Sequence, residues 1–218
     1  MTPQSRAIPV ILTRPAAQGD RFAADLRARF GDAVDVILSP LIAPVFPAVA
    51  LPDGDFGAVI LTSETGAQAA ARLPGVPHRA WCVGDRTAAA ARALGFDASS
   101  AAGDADALVT AIMAAGESGP LLHLRGRDSR GDVAARLTAQ AVPTAEVIVY
   151  TQEAQPLTDA ARAVLAGHGP VIVPLFSPRT AQIFAATRPA AALYIAALSP
   201  AVAAGLGDLP CRMLRCAA

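Results

Sequence analysis

The chain has 218 residues, of which 53% are hydrophobic and 5% aromatic, and 18 basic residues balance 18 acidic ones. With no basic excess to displace counterions from a phosphate backbone, the charge balance argues against nucleic acid as a partner. Every cation is an arginine and lysine is absent, which rules out Schiff-base chemistry on a side-chain amine.

From the first residues onward, short β-type runs alternate with Ala-rich helical stretches, the pattern of βα units around a parallel sheet, so the class is α/β. Strands are predicted near 8 to 12, 34 to 38, 57 to 61, 80 to 83, 96 to 98, 120 to 124, 145 to 150, 171 to 175, 192 to 197 and 211 to 214. The first of these, Ile8 to Leu12, is too short for a signal segment or a membrane span. Between strands, Phe22, Leu26 and Phe30 recur every four residues, as do Leu108 with Ile112, Val109 with Met113, and Val133 with Leu137. That spacing gives helices with one buried face. Cys82, Cys211 and Cys216 are odd in number and show no paired spacing, which fits reduced thiols in a cytoplasmic protein.

Ten strands suit two sheets of five better than one large sheet in a chain of this length. The Pro-rich segment from Ser39 to Pro52 reads as an extended crossover, and Val149 to Leu157 reads as a second. The expected organisation is therefore a discontinuous first domain, residues 1–38 with 153–218, and an inserted second domain, residues 47–148, with linkers at 39–46 and 149–152. An internal repeat accompanies this division, because Val59 to Gln68 and Val173 to Gln182 each run strand, serine, helix.

In parallel α/β sheets ligands sit beyond the carboxyl ends of the strands. Those positions here hold Thr13, Arg14, Thr62, Ser63, Gly84, Thr87, Ser177 and Ser199. The hydroxyls can cap the following helices, or the helix starts can offer amides to an anion. Arg14, ahead of Pro15, reads as a carboxylate clamp or as a rim arginine. In the run Leu124-Arg-Gly-Arg-Asp-Ser-Arg-Gly131, Arg125 and Gly126 lie at a strand end, while Arg127 and Arg130 are open to solvation with Asp128. The run lacks the spacing of a phosphate-cradling loop, so nucleotide binding is disfavoured. The Tyr150 hydroxyl can donate a proton or be satisfied within packing. His78, His123 and His168 are scattered, which gives metal binding no support. His123 lies inside an apolar strand and reads as a sheet-face histidine.

Taken in order, Thr13-Arg14-Pro15, Ser39-Pro40, Thr62-Ser63 with Gly66, Val83-Gly84 with Thr87-Ala88, Leu124-Arg125-Gly126, Val149-Tyr150 and Phe176-Ser177-Pro178 resemble the uroporphyrinogen-III synthase family over nearly the whole chain. The resemblance implies two flavodoxin-like domains, each a five-stranded parallel sheet with helices on both faces, joined by a two-stranded linker around an interdomain active site. It implies a cofactor-free, cytoplasmic, monomeric lyase acting on hydroxymethylbilane, a linear tetrapyrrole with eight carboxylates. Tyr150 would assist departure of the hydroxyl. Arg14, Thr62, Ser63, Gly84, Thr87, Arg125, Gly126, Ser177 and Ser199 would hold substrate, with no metal and no membrane or nucleic-acid partner. Family members usually carry a helix after the last strand, whereas this sequence stops at Ala217-Ala218, so one sheet is expected to lose cover on a face. The second reading from the residues is a non-catalytic two-domain protein that binds a small anionic ligand.

Overall fold

The computed structural model describes residues 7–128 and 131–217. The chain divides into two compact units, one made of residues up to Ala43 together with those from Glu153 onward, the other of Pro44–Gln152. The first unit contains β1 (Ile8–Leu12), α1 (Ala16–Phe30) and β2 (Val34–Leu38). After the excursion into the second unit it continues with α6 (Asp159–Leu165), β9 (Pro170–Leu175), α7 (Pro178–Ala186), β10 (Ala192–Ala197), α8 (Pro200–Ala204) and β11 (Met213–Cys216). The intervening chain supplies β3 (Ile42–Val45), β4 (Ala58–Leu61), α2 (Glu64–Ala70), β5 (Arg79–Cys82), α3 (Asp85–Ala93), β6 (Asp97–Ser100) and α4 (Ala105–Ala114). It closes with β7 (Leu121–Gly126), α5 (Val133–Ala139) and β8 (Thr144–Ala154).

The class is α/β with two helix-flanked sheets, as the strand pattern predicts. One sheet has five strands in the order β11-β10-β9-β1-β2, and the other has six, β3-β8-β7-β4-β5-β6. One sheet thus has a strand more than the expected five: the sixth is β3, which falls within the predicted linker 39–46 and lies next to β8, the strand that contains the other predicted linker, 149–152. β3, the Pro-rich crossover, lies beside β8 as an edge strand. Pro44 lacks an N–H for the ladder, so β3 is confined to an edge. The last strand also starts two residues later than the pattern predicts, at Met213 instead of Cys211.

Reading the second sheet from its far edge gives β6-β5-β4-β7-β8, which matches β11-β10-β9-β1-β2 position for position. The connecting helices match too: α2 and α3 correspond to α7 and α8, and α5 corresponds to α1. The units therefore share a spatial order but differ in chain order, a circular permutation of one layout. The repeat of Val59–Gln68 against Val173–Gln182 falls on β4-α2 and β9-α7, which occupy the same place in the two sheets.

Alternating strand residues build a core on each face of each sheet. In the second unit, Leu122 and Leu124 join α2 and α3 through Ala67, Ala70, Ala88 and Ala91. On the opposite face Ile60 and Leu121 meet Leu108, Ile112, Val133 and Leu137 of α4 and α5. The short alanines let helices approach the sheet closely, which is why so little aromatic side chain is required. In the first unit, Val171, Val173, Leu193 and Ile195 pack with Ala161, Leu165, Ala181 and Phe184. The other face has only Val10, Leu12 and Ala23 fully buried, with Phe22 and Leu26 of α1 partly so. Phe30, expected on the buried face of that helix, is 48% exposed as the last residue of α1, next to Gly31 (φ +51°). Tyr194 and Met213 on this face are exposed as well, where the equivalent face of the second unit is covered by α4. Phe184 is wholly buried, and truncating it removes a large volume that small neighbours cannot refill. Phe184→Ala is expected to lower stability by about 3–5 kcal/mol in denaturant titrations followed by circular dichroism.

Candidate active site

In doubly wound sheets the ligand crevice forms where neighbouring strands send their connections to opposite faces. This switch lies between β4 and β7 in the second unit and between β1 and β9 in the first. At the β4–β7 switch the Ser63 hydroxyl and the Tyr150 hydroxyl lie 3.0 Å apart. Tyr150 reaches this place through an irregularity in the sheet. Pairing runs Arg125 with Ile148, then Gly126 with Tyr150, which leaves Val149 as an extra residue. Val147 and Val149 face the α2–α3 core, so strict alternation would aim Tyr150 to the other side, yet it packs on that same core. A bulge re-aims a side chain in this way. Gly126 completes the arrangement, since a Cβ there would come within 2.5 Å of the Tyr150 ring.

The two hydroxyls open into a pocket of about 400 Å³ lined by Thr62, Ser63, Val83, Asp104, Asp128 and Tyr150, among others. Asp104 caps α4, and the amides of Ala107 and Asp106 hold its carboxyl below the usual carboxylate range. It is therefore ionised at working pH. Sequence reasoning missed Asp104 as a site residue, although its place after β6 and four residues before buried Leu108 is an N-cap signal.

The remaining strand-end residues divide by what their side chains already do. Ser63, Ser177 and Ser199 each accept a backbone N–H from the third residue of the following helix, from Gly66, Thr180 and Val202 respectively. Capping thus uses each side chain while leaving the other first-turn amides to a ligand. Gly84 caps α3 with no side chain, and Thr87 is buried inside that helix. Thr13 does not cap α1, because Pro15 stands at the cap position itself. The Thr13 hydroxyl is wholly buried and makes no hydrogen bond. The Arg14 guanidinium lies 4.2 Å over the Phe176 ring, across the switch of the first unit, and reaches Gln18.

Arg125 points away from the Ser63–Tyr150 pocket. Its side chain pairs with Glu146 on β8 and also donates to the carbonyls of Gly126 and Arg127. It lines a larger, open groove of about 730 Å³ beside α5 with Arg127 and Glu146. Because Glu146 neutralises it there, Arg125 serves first to fix the end of β7. Arg127 and Asp128 are exposed, as the run suggests, whereas Arg130 lies outside the described residues. His123 is a sheet-face histidine, 2% exposed, with Nδ1 3.5 Å from Glu146 Oε2 and no well-formed hydrogen bond at either nitrogen. Burial pushes its imidazole down to about 4, against the pull of Glu146. The Cys82 thiol is likewise pushed up by burial, to about 11, so it is no nucleophile. Among the described residues no cluster of His, Cys, Asp or Glu could hold a metal ion, and no helix is long and apolar enough to cross a membrane.

His123 sets an acid limit on the second unit. Between pH 6.5 and about 4 the unfolded chain binds a proton that folded His123 refuses, so stability falls as pH falls through that window. Arg125 holds the Glu146 carboxyl below its ordinary range, so its contribution is lost in the same direction at the lower end. The sole tryptophan, Trp81, lies on β5 of this unit and reports its unfolding. In urea titrations followed by Trp81 fluorescence, His123→Leu is expected to recover about 2 kcal/mol of the loss between pH 6.5 and 4.5.

A family model described as uroporphyrinogen-III synthase HemD matches residues 20–218. Among solved structures, the uroporphyrinogen-III synthetase of Helicobacter pylori shares the fold at 14% identity, with a TM-score of 0.63 over 94% of this chain and 92% of that one. A mutant uroporphyrinogen III synthase from Thermus thermophilus aligns at 12% identity and a TM-score of 0.45, over 95% and 92% of the two chains. Comparison with curated proteins finds no matching sequence. The family match begins after Thr13 and Arg14 but spans both units and the other strand ends, and by it the chain belongs to the uroporphyrinogen-III synthase family.

Proposed function

We propose that the chain acts as a hydro-lyase that closes hydroxymethylbilane to uroporphyrinogen III, with loss of water and inversion of ring D, in tetrapyrrole biosynthesis. The observation that carries this reading is a phenol hydroxyl at the β4–β7 switch, 3.0 Å from Ser63, in a pocket edged by Asp104 and Asp128. Tyr150 donates its proton to the departing hydroxyl, which leaves as water. The electron pair of the pyrrole nitrogen stabilises the resulting azafulvene cation, so the protein's main task is to position the ends of the chain. Uncatalysed closure joins the ends directly and gives the type I isomer. Inversion requires attack by the substituted carbon of ring D, through a spiro intermediate, before the ring re-closes. The phenolate then recovers a proton lost from the new macrocycle.

The charges around this pocket suit one end of the substrate. Two carboxylates at its edge would repel propionate and acetate groups but attract the carbon that becomes positive as water leaves. The substrate carboxylates are better held by Arg14, by Arg125 where Glu146 yields, and by the helix-start amides at Gly84–Thr87, Ser177 and Ser199, beside Gly126, while Thr62 and Ser63 meet the reacting end of the substrate. Charge-assisted hydrogen bonds contribute about 1.5–3 kcal/mol each, so several shared contacts hold the bilane without a dominant residue. The reading also takes the protein as a cytoplasmic monomer with no cofactor, in keeping with its free thiols.

Enzymatically generated hydroxymethylbilane, incubated with the protein and then oxidised for isomer chromatography, should yield the type III isomer. Type I alone would reject the reading. Tyr150→Phe is expected to slow turnover at least tenfold with the isomer ratio of the residual product unchanged. Asp104→Asn, which keeps the α4 cap, should slow turnover several-fold, and the deficit should shrink as salt screens the lost charge.

A further inference from the structure

A phenol has one proton, and the neighbour that takes it decides whether it is available for chemistry. Ser63 Oγ already accepts the Gly66 N–H at 2.9 Å. Among the described residues its own proton has one hydrogen-bonding neighbour, the Tyr150 oxygen at 3.0 Å. With Ser63 as donor both hydroxyls are used, and the Tyr150 proton is left directed at the pocket. With Tyr150 as donor the Ser63 proton has no acceptor among the described residues, and the phenol proton is spent on a serine. Ser63 is also held in place, because the oxygen that meets Tyr150 is the cap of α2.

Close approach depends on two glycines. A Cβ at residue 66 would press on Ser63 Oγ and the Leu124 carbonyl, at 3.2 and 3.3 Å. A Cβ at residue 126 would come 2.5 Å from Tyr150 Cζ and 2.8 Å from its hydroxyl oxygen. We propose that Ser63 and Gly126 are positioning residues for Tyr150: Ser63 donates to the phenol oxygen and turns its proton to the pocket, while Gly126 leaves the space in which the ring lies. This rests on the reading of Tyr150 as the proton donor.

The test compares kcat and KM for Ser63→Ala, Ser63→Thr and Gly126→Ala, each with Tyr150 and with Tyr150→Phe. Ser63→Ala and Gly126→Ala should each lower kcat by roughly tenfold, the share of one oriented hydrogen bond, with KM little changed. Ser63→Thr, which keeps the hydroxyl and the cap, should recover most of the loss. With Tyr150→Phe present neither change should cost more, and equal losses in both backgrounds would overturn the proposal. Trp81 fluorescence melts exclude unfolding as the cause. A second readout needs no activity. In protein labelled with 3-fluorotyrosine the two tyrosines give separate fluorine resonances, assigned by loss of one in Tyr150→Phe. The Tyr150 resonance should shift in both variants, and an unmoved resonance rejects the positioning. Full turnover by Tyr150→Phe would instead reject the proton-donor reading, with the fluorine shifts still deciding whether Ser63 and Gly126 place the ring.

Discussion

A Cβ on residue 126 would collide with the Tyr150 ring, so the place of the phenol rests on a side chain that is missing from the end of β7. The bulge at Val149 supplies the turn of the strand and Gly126 supplies the room. Ser63 then meets the hydroxyl because the start of α2 fixes its oxygen. None of these elements does chemistry alone. Together they hold the phenol ring at the edge of a pocket, beside the Ser63 hydroxyl. Such preorganisation is established when the chain folds and costs nothing at the moment of reaction.

The permuted layout explains why both units present serine-capped helices at one edge. β4 with α2 and β9 with α7 occupy the same place in their sheets, and Ser63 and Ser177 cap in the same way. What differs is the strand on the other side of the switch. In the second unit β7 and β8 bring Gly126 and Tyr150, and in the first β1 brings Arg14, stacked on Phe176. The switch therefore carries a tyrosine hydroxyl in one unit and an arginine in the other. Equivalent backbones have been specialised by a few residues at strand ends, as expected where sites are grafted on a common fold.

The α/β class, most strands and the strand-end serines were legible in the sequence because period-two and period-four patterns survive even in Ala-rich segments. That β3 joins the larger sheet was not legible from the local pattern, although the resemblance implies a two-stranded linker at these segments. The segment around Pro44 is extended by its prolines, but nothing local says that β8 offers an open edge beside it. Phe30 misled because the four-residue spacing continues to the last residue of α1, whereas burial does not. At the site, Tyr150 and Ser63 were nameable as separate hydroxyls, while their contact depends on a bulge that strict alternation denies. Arg125 was read toward ligand because its partner Glu146 is distant in sequence and adjacent only through the pairing of β7 with β8.

The acidic edge of the pocket has a directional consequence. In the proposed reaction Asp104 and Asp128, which line the pocket, would face a substrate end that is briefly positive, and the attraction would exist only while that charge does. Once the macrocycle has formed, the same two carboxylates confront a product whose ionised groups are all negative. On the proposed reading the pocket favours the transient species and disfavours the finished one, so turnover and product escape would draw on a single arrangement of charge.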